Sequence, residues 1–171
     1  MQPRFPESEI KTIAGRYSYV RADASVMELK ALVQQRGYLD KDQLKKVAQW
    51  KAPRSAGHVE DNDADFVKEV TSWAFRTANE RARVESLTIL DGIGWPSATV
   101  ILHLFHRDPY PILDYRALSS LGLKVPNQYS FSFWWPYVLF CRELSNRNGV
   151  DMRTLDRALW QYSVENPQPD G

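Results

Sequence analysis

Residues 87–121 read LTILDGIGWPSATVILHLFHRDPYPILDYRALSSL, and the fold is decided here. Val84, Leu87 and Leu90 recur at helical spacing across Ala82–Leu90, up to Asp91-Gly92-Ile93-Gly94. A second apolar helix then runs through Ala98, Ile101, Leu102 and Phe105. Gly92 and Gly94 permit the positive φ and close approach of a tight helix-to-helix turn, and Pro96 suits a first-turn position. The second helix opens with backbone N–H groups that have no intrahelical acceptor, which suits an anionic oxygen without any side-chain charge. Pro109 and Pro111 hold the following segment extended, and Asp114 can cap a short helix through Leu118 and Leu121.

Helical periodicity continues on both sides, and strand alternation is nearly absent. Residues 25–36 place Val26, Leu29, Leu32 and Val33 on one face, with Gly37 as the stop. Asp40 can cap a helix through Leu44, Val47, Ala48 and Trp50, which Pro53 ends. The segment RSAGHVEDND reads as a loop, after which Asn62 or Asp63 can cap a long helix with a buried stripe of Phe66, Val67, Val70, Trp73 and Ala74. Helices near 130–145 and 151–164 precede a tail, 166–171, expected to be disordered. The expectation is an all-α fold, a compact helical bundle in two small lobes around a helix-hairpin-helix. Its parts are an N-terminal helical lobe over about 1–80, the hairpin and Asp114 over 82–121, and C-terminal helices over 130–165.

With 171 residues, 43 % hydrophobic and 25 % charged, the chain has the composition of one globular domain. Cys141 is the single cysteine, which excludes a disulfide framework, a four-cysteine zinc site and a cysteine-ligated iron–sulfur cluster. No apolar run approaches the ~18 residues a membrane helix needs, and the N-terminus lacks a signal peptide's apolar stretch. A cytoplasmic protein without a membrane partner is the expectation. The net charge is +1, but residues 1–60 carry 11 basic and 7 acidic side chains. Lys41, Lys45, Lys46, Lys51 and Arg54 therefore form either a basic footprint or a merely solvated face.

The stretch Leu90-Asp91-Gly92-Ile93-Gly94-Trp95-Pro96-Ser97-Ala98, followed by Pro109, Pro111 and Asp114, resembles the helix-hairpin-helix DNA glycosylase superfamily, the endonuclease III-like base-excision repair enzymes. The signature there is L-P-G-[IV]-G-x-x-x-A, then a helix, then a proline-containing loop ending in Asp. The twenty-residue step from Gly94 to Asp114 is also theirs. About 35 residues match closely. The resemblance implies that Asp114 carries the catalytic carboxylate, and that Gly92, Ile93, Gly94 and the amides of Ser97 and Ala98 anchor a DNA backbone. A carboxylate suits this chemistry, because breaking an N-glycosidic bond leaves positive charge on the sugar.

Two departures qualify the likeness. Strand-cutting members place a Lys two residues after the second Gly, where its amine forms a Schiff base. Pro96 stands there in this chain and is no such nucleophile. Asp91 replaces the usual Pro, where it either stays clear of the phosphate or helps hold a monovalent cation at the hairpin. The C-terminal iron–sulfur loop of many members is also missing. The resemblance thus implies a monofunctional glycosylase acting as a monomer on duplex DNA with a damaged or modified base, nucleoid-associated if bacterial. The alternatives are a DNA-binding hairpin module that has lost activity and a helical protein-interaction domain.

Trp50-Lys51-Ala52-Pro53-Arg54 ends a basic helix. A similar Trp-Lys-x-Pro-Arg stretch precedes the hairpin in a poorly characterised bacterial branch without the cluster, and this chain looks most similar to that branch. Lys51 or Arg54 is then a candidate for a phosphate or the site, and Trp50 for a base; otherwise they form a solvated helix end. Trp95, Tyr110, Tyr115 and Arg116 are candidates for walls or plug of a flipped-base pocket, or else core and rim. Arg116 is also placed to pair with Asp114 and keep it ionised. Phe131, Phe133, Trp134, Trp135 and Tyr137 read mostly as core, and Cys141 as a small buried hydrophobe. His103 and His106 lack the carboxylate of a metal site, and none is expected.

Overall fold

In the computed structural model, which describes residues 1–167 apart from the side chain of Arg21, a 3-10 turn at Glu7–Glu9 leads into α1 (Ile10–Gly15). Next come α2 (Val20–Met27), α3 (Lys30–Arg36), α4 (Lys41–Lys51), a 3-10 helix at Ala56–Asp61, α5 (Ala64–Arg76) and α6 (Glu80–Leu87). The chain continues through α7 (Trp95–Phe105), α8 (Tyr115–Ser120), α9 (Phe131–Arg147) and α10 (Met152–Glu165). No strand occurs among the described residues, so the fold is all-α. Of the expected tail, Asn166 caps α10 through a bond to the Tyr162 carbonyl, and 168–171 lie outside the described residues.

The chain divides into two units, 19–108 and 1–18 with 109–171. The boundary differs from the expected one near residue 80: the hairpin belongs with the preceding helices, and the first eighteen residues with the C-terminal half.

In unit 19–108, α7 packs against α3, α4 and α6, and every residue from Ser97 to Leu102 is buried. Asp40 caps α4 through a capping box with Gln43, and Asp63 caps α5 through the amides of Asp65 and Phe66. The helix expected over 25–36 is two, α2 and α3. At the break the Leu29 amide donates to the Val26 carbonyl, an i−3 bond that tightens the turn and rotates α3 relative to a continuous helix. Val33 is fully buried as a result, while Leu32 is 49 % exposed rather than on the core face. On α5 the buried stripe is Val67, Val70, Thr71 and Ala74, whereas Phe66 and Trp73 are exposed. Thr71 displaces them because its hydroxyl accepts the buried Leu39 amide at 3.0 Å and donates to the Val67 carbonyl at 2.8 Å. The RSAGHVEDND stretch is the 3-10 helix rather than a loop.

Arg83 of α6 is 4 % exposed, and its guanidinium donates to the Ala74 carbonyl at 2.8 Å and to the Thr77 carbonyl. It satisfies carbonyls that the end of α5 leaves without helical partners. Its Nη1 also meets Nε2 of the buried His106 at 2.5 Å, and burial, then the Arg83 charge, lowers the His106 pKa below 6.5.

In the other unit, α10 packs against α1, α8 and α9. Arg16 grips Glu165 through two bonds of 2.8 and 2.6 Å, which hold that carboxyl at about 2.

Candidate functional site

The glycine turn is built from its own carbonyls and from the segment around the preceding 3-10 helix. Gly92 has φ +79°, and a Cβ on it would lie 2.9 Å from the Ser55 carbonyl oxygen and 3.0 Å from Val59. Only glycine fits both the left-handed backbone and that contact. The Ile93 amide closes the turn on the Leu90 carbonyl at 3.1 Å, and the Ile93 side chain is buried. Gly94 is the N-cap of α7 with φ −89° and ψ 178°, is exposed, and accepts the Ala98 amide at 2.9 Å.

Asn62, one of the two candidate caps for α5, instead holds the turn. Its side-chain amide donates to the Asp91 carbonyl at 3.0 Å and its oxygen accepts the Asp91 amide at 2.9 Å. Sequence gives one weak signal of this, an Asn beside an Asp that suffices alone as the helix cap.

The five hairpin residues therefore divide. Among the described residues, the amides of Gly92, Gly94 and Ser97 meet no protein acceptor, while those of Ile93 and Ala98 are spent inside the turn. Ala98 is fully buried and Ser97 nearly so, so Gly94 offers the most accessible donor. The Leu90, Asp91 and Gly92 carbonyls already accept from Ile93, Asn62 and, at a long 3.5 Å, Ser55. Each of these oxygens accepts the donor named and keeps a second lone pair, and the Asp91 side chain is exposed beside them. No group of three or more His, Cys, Asp or Glu side chains able to hold a metal occurs among the described residues.

Trp50 and Lys51 are the half-buried last residues of α4, Arg54 is exposed in the following turn, and Trp95 is the half-buried first residue of α7. Ser55 and Val59, just beyond Arg54, are the residues that abut Gly92, so the Trp-Lys-Ala-Pro-Arg segment leads directly to the underside of the turn.

Asp114 belongs to the other unit, as do Tyr110, Tyr115 and Arg116. It is the half-buried N-cap of α8, where Oδ1 accepts the Arg116 amide at 2.9 Å. The proline loop before it is fixed by two side chains of α9. The Tyr137 hydroxyl donates to the Ile112 carbonyl at 2.8 Å, and Arg142 Nε donates to the Pro109 carbonyl at 2.8 Å. Neither was legible in the sequence, because both link residues at least 25 positions apart.

Tyr110 is not a pocket wall. It is fully buried, stacked on Trp134 with centroids 5.8 Å apart and covered by the Arg142 guanidinium at 4.6 Å. Tyr115 is 56 % exposed, a rim position. The Arg116 guanidinium lies over the rings of Tyr115 and Trp160, 5.0 and 5.4 Å from their centroids, and it meets Asp114 through its amide rather than as an ion pair. Within the aromatic run, Trp134 and Tyr137 are core, while Phe131, Phe133 and Trp135 are half-buried.

Tyr129, which the sequence did not single out, is half-buried just before α9 and tilted against Phe133 at 6.0 Å. Burial, then the negative charge of Asp114, pushes its phenol up from 10, placing Tyr129 in the field of that carboxylate.

The sequence matches no protein-family profile and no curated protein. Its structure is similar to the crystal structure of the Methanocaldococcus jannaschii 8-oxoguanine glycosylase/lyase in complex with a 15mer DNA containing 8-oxoguanine. The TM-score is 0.52 at 15 % identity, over 95 % of this chain and 82 % of that one. The all-helical architecture and its hairpin are thus the helix-hairpin-helix glycosylase fold.

Proposed function

We propose that this protein is a DNA glycosylase of the helix-hairpin-helix superfamily, in a branch without an iron–sulfur cluster, that hydrolyses the N-glycosidic bond of a damaged or modified base in duplex DNA. The observation that carries this reading is Asp114. An acidic side chain caps a short helix after a braced proline loop, twenty residues beyond a glycine hairpin, in a chain with a glycosylase fold. The structural neighbour was crystallised with DNA containing 8-oxoguanine, which makes that base the first to try.

In this reading the Gly92 and Gly94 amides meet phosphate oxygens without side-chain charge, which is compatible with a net charge of +1. Lys51 and Arg54 add a cationic approach, and Trp50 and Trp95 are the nearer candidates for contact with bases. The Asp114 carboxylate stabilises the positive charge that develops on the sugar or activates the attacking water. The Arg116 amide on Oδ1 orients the carboxylate. Pro96 at the second position of α7 provides no amine, so the reaction is hydrolysis without strand cleavage. The protein acts as a monomer in the cytoplasm.

Duplexes bearing single lesions, including 8-oxoguanine, are incubated with the protein and treated with alkali to reveal abasic sites. Alkali-dependent breaks at one lesion are expected. Salt-sensitive DNA binding with no abasic product from any lesion would instead make the chain a binding module, and no DNA binding an interaction domain.

A further inference from the structure

On unit 19–108, α5 and its neighbours leave an open groove of about 720 Å3. Its apolar ridge is Phe66 and Trp73, 41 % and 45 % exposed, with Ile89 beyond α6 at 58 %. Phe66 and Trp73 are seven residues apart on one helix, about 10 Å along its axis and on the same face. Large apolar side chains grouped at one groove mark a surface that binds something. The groove is not an extension of the hairpin or of Asp114, since neither contributes a lining residue.

Charge selects the occupant. The rim carries Arg36, Lys68 and Arg76, against Glu69 alone among lining acids. Arg36 and Lys68 both stand over the Tyr38 ring, 4.3 and 5.3 Å from its centroid, although Arg36 is also paired with Asp40 at 3.1 Å. Arg76 is exposed, and it also lines an adjoining groove of about 540 Å3 that includes Arg107 and no carboxylate. An apolar trough with a ridge at seven-residue spacing fits helix knobs at i, i+3 or i+4, and i+7. We propose that this groove docks an acidic amphipathic helix of a partner protein. Its apolar side chains lie on Phe66, Trp73 and Ile89, and its carboxylates meet Lys68 and Arg76.

The test is a display library of helical 18-mers with randomised apolar positions at i, i+3, i+4 and i+7 and an acidic outer face, panned on the full-length protein beside a library with a basic outer face. Enrichment of acidic-faced peptides is expected. Trp73→Ala should weaken a selected peptide at least tenfold, as loss of a central aromatic anchor does. Because Trp73→Ala alters packing, Lys68→Glu/Arg76→Glu, both on exposed side chains, provides the second variant and should shift the preference to the basic-faced library. Thermal melts of both variants check the fold. The proposal is overturned by no enrichment, by equal enrichment of both libraries, or by a variant pair that leaves affinity unchanged. A thymidine 15-mer whose binding requires Trp73 would assign the groove to nucleic acid, and a Trp73-dependent dimer in sedimentation would assign it to a second copy; either overturns it.

Discussion

Asn62 holds Asp91 from both sides, donating to its carbonyl at 3.0 Å and accepting its amide at 2.9 Å. The two residues are 29 positions apart, and their reciprocal bonds tie the glycine turn to the segment that begins α5. A polar side chain, 4 % exposed, thereby fixes the one turn whose shape the proposed DNA contact needs.

Replacing Asn62 by Ala leaves both Asp91 backbone groups without their side-chain partner. The expected cost is about 1–3 kcal/mol, read from urea unfolding midpoints, with a matching loss of DNA affinity. Unchanged stability would mean that the turn holds itself.

The two glycines are predicted to separate folding from binding. Gly92→Ala is strained at φ +79° and meets the Ser55 carbonyl at 2.9 Å, so it should destabilise by roughly 2 kcal/mol or more. At Gly94 φ is −89° and a Cβ meets nothing nearer than Pro96 Cδ at 3.8 Å. Gly94→Ala should therefore lose at most about 1 kcal/mol, the cost of Ala at an N-cap, yet bind duplex DNA several-fold more weakly, because the methyl group stands at the exposed amide. Parent-like DNA affinity in Gly94→Ala would remove the backbone contact from the mechanism.

Asp114 has two roles that its substitutions divide. Asparagine caps helices about as well as aspartate, so Asp114→Asn should keep the α8 cap, stability and DNA affinity while abolishing base excision. Asp114→Ala should in addition lose about 1 kcal/mol. Excision by Asp114→Asn at the parent rate would sink the assignment.

With Pro96 near the start of α7, sodium borohydride should trap no covalent adduct with lesion DNA. An adduct that forms and then disappears in Lys51→Ala would identify the amine at the end of α4 as a nucleophile and make the enzyme bifunctional.

The Arg83–His106 contact predicts a pH effect. Burial and the Arg83 charge lower the His106 pKa in the folded state, so below about 6.5 the unfolded chain takes up the proton more readily. The contribution is present above that pH and is lost as pH falls through 6.5 toward the lowered value. Melting temperature should drop between pH 7.5 and 5.5 by more in the parent than in His106→Gln. Arg83→Leu should cost several kcal/mol, because the Ala74 and Thr77 carbonyls lose their donor.

By itself the sequence determined the all-helical class, the caps at Asp40 and Asp114, and the glycine corner between α6 and α7, together with the place of Asp114 after the proline loop, but not the break between α2 and α3, the 3-10 helix at Ala56–Asp61 or α1. The features it determined arise from torsions and hydrogen bonds that span at most four residues, so the local order of residue types is enough to specify them. Tertiary structure decided which faces were covered. It turned Phe66, Trp73 and Leu32 outward, buried Arg83 and Tyr110, assigned Asn62 to the hairpin, and placed the first eighteen residues with the C-terminal half. An apolar stripe states that a face can be buried, but what buries it is another element that period and propensity do not name. The same holds for a buried cation or amide, whose position depends on carbonyls brought to about 3 Å by packing between elements rather than within one helix.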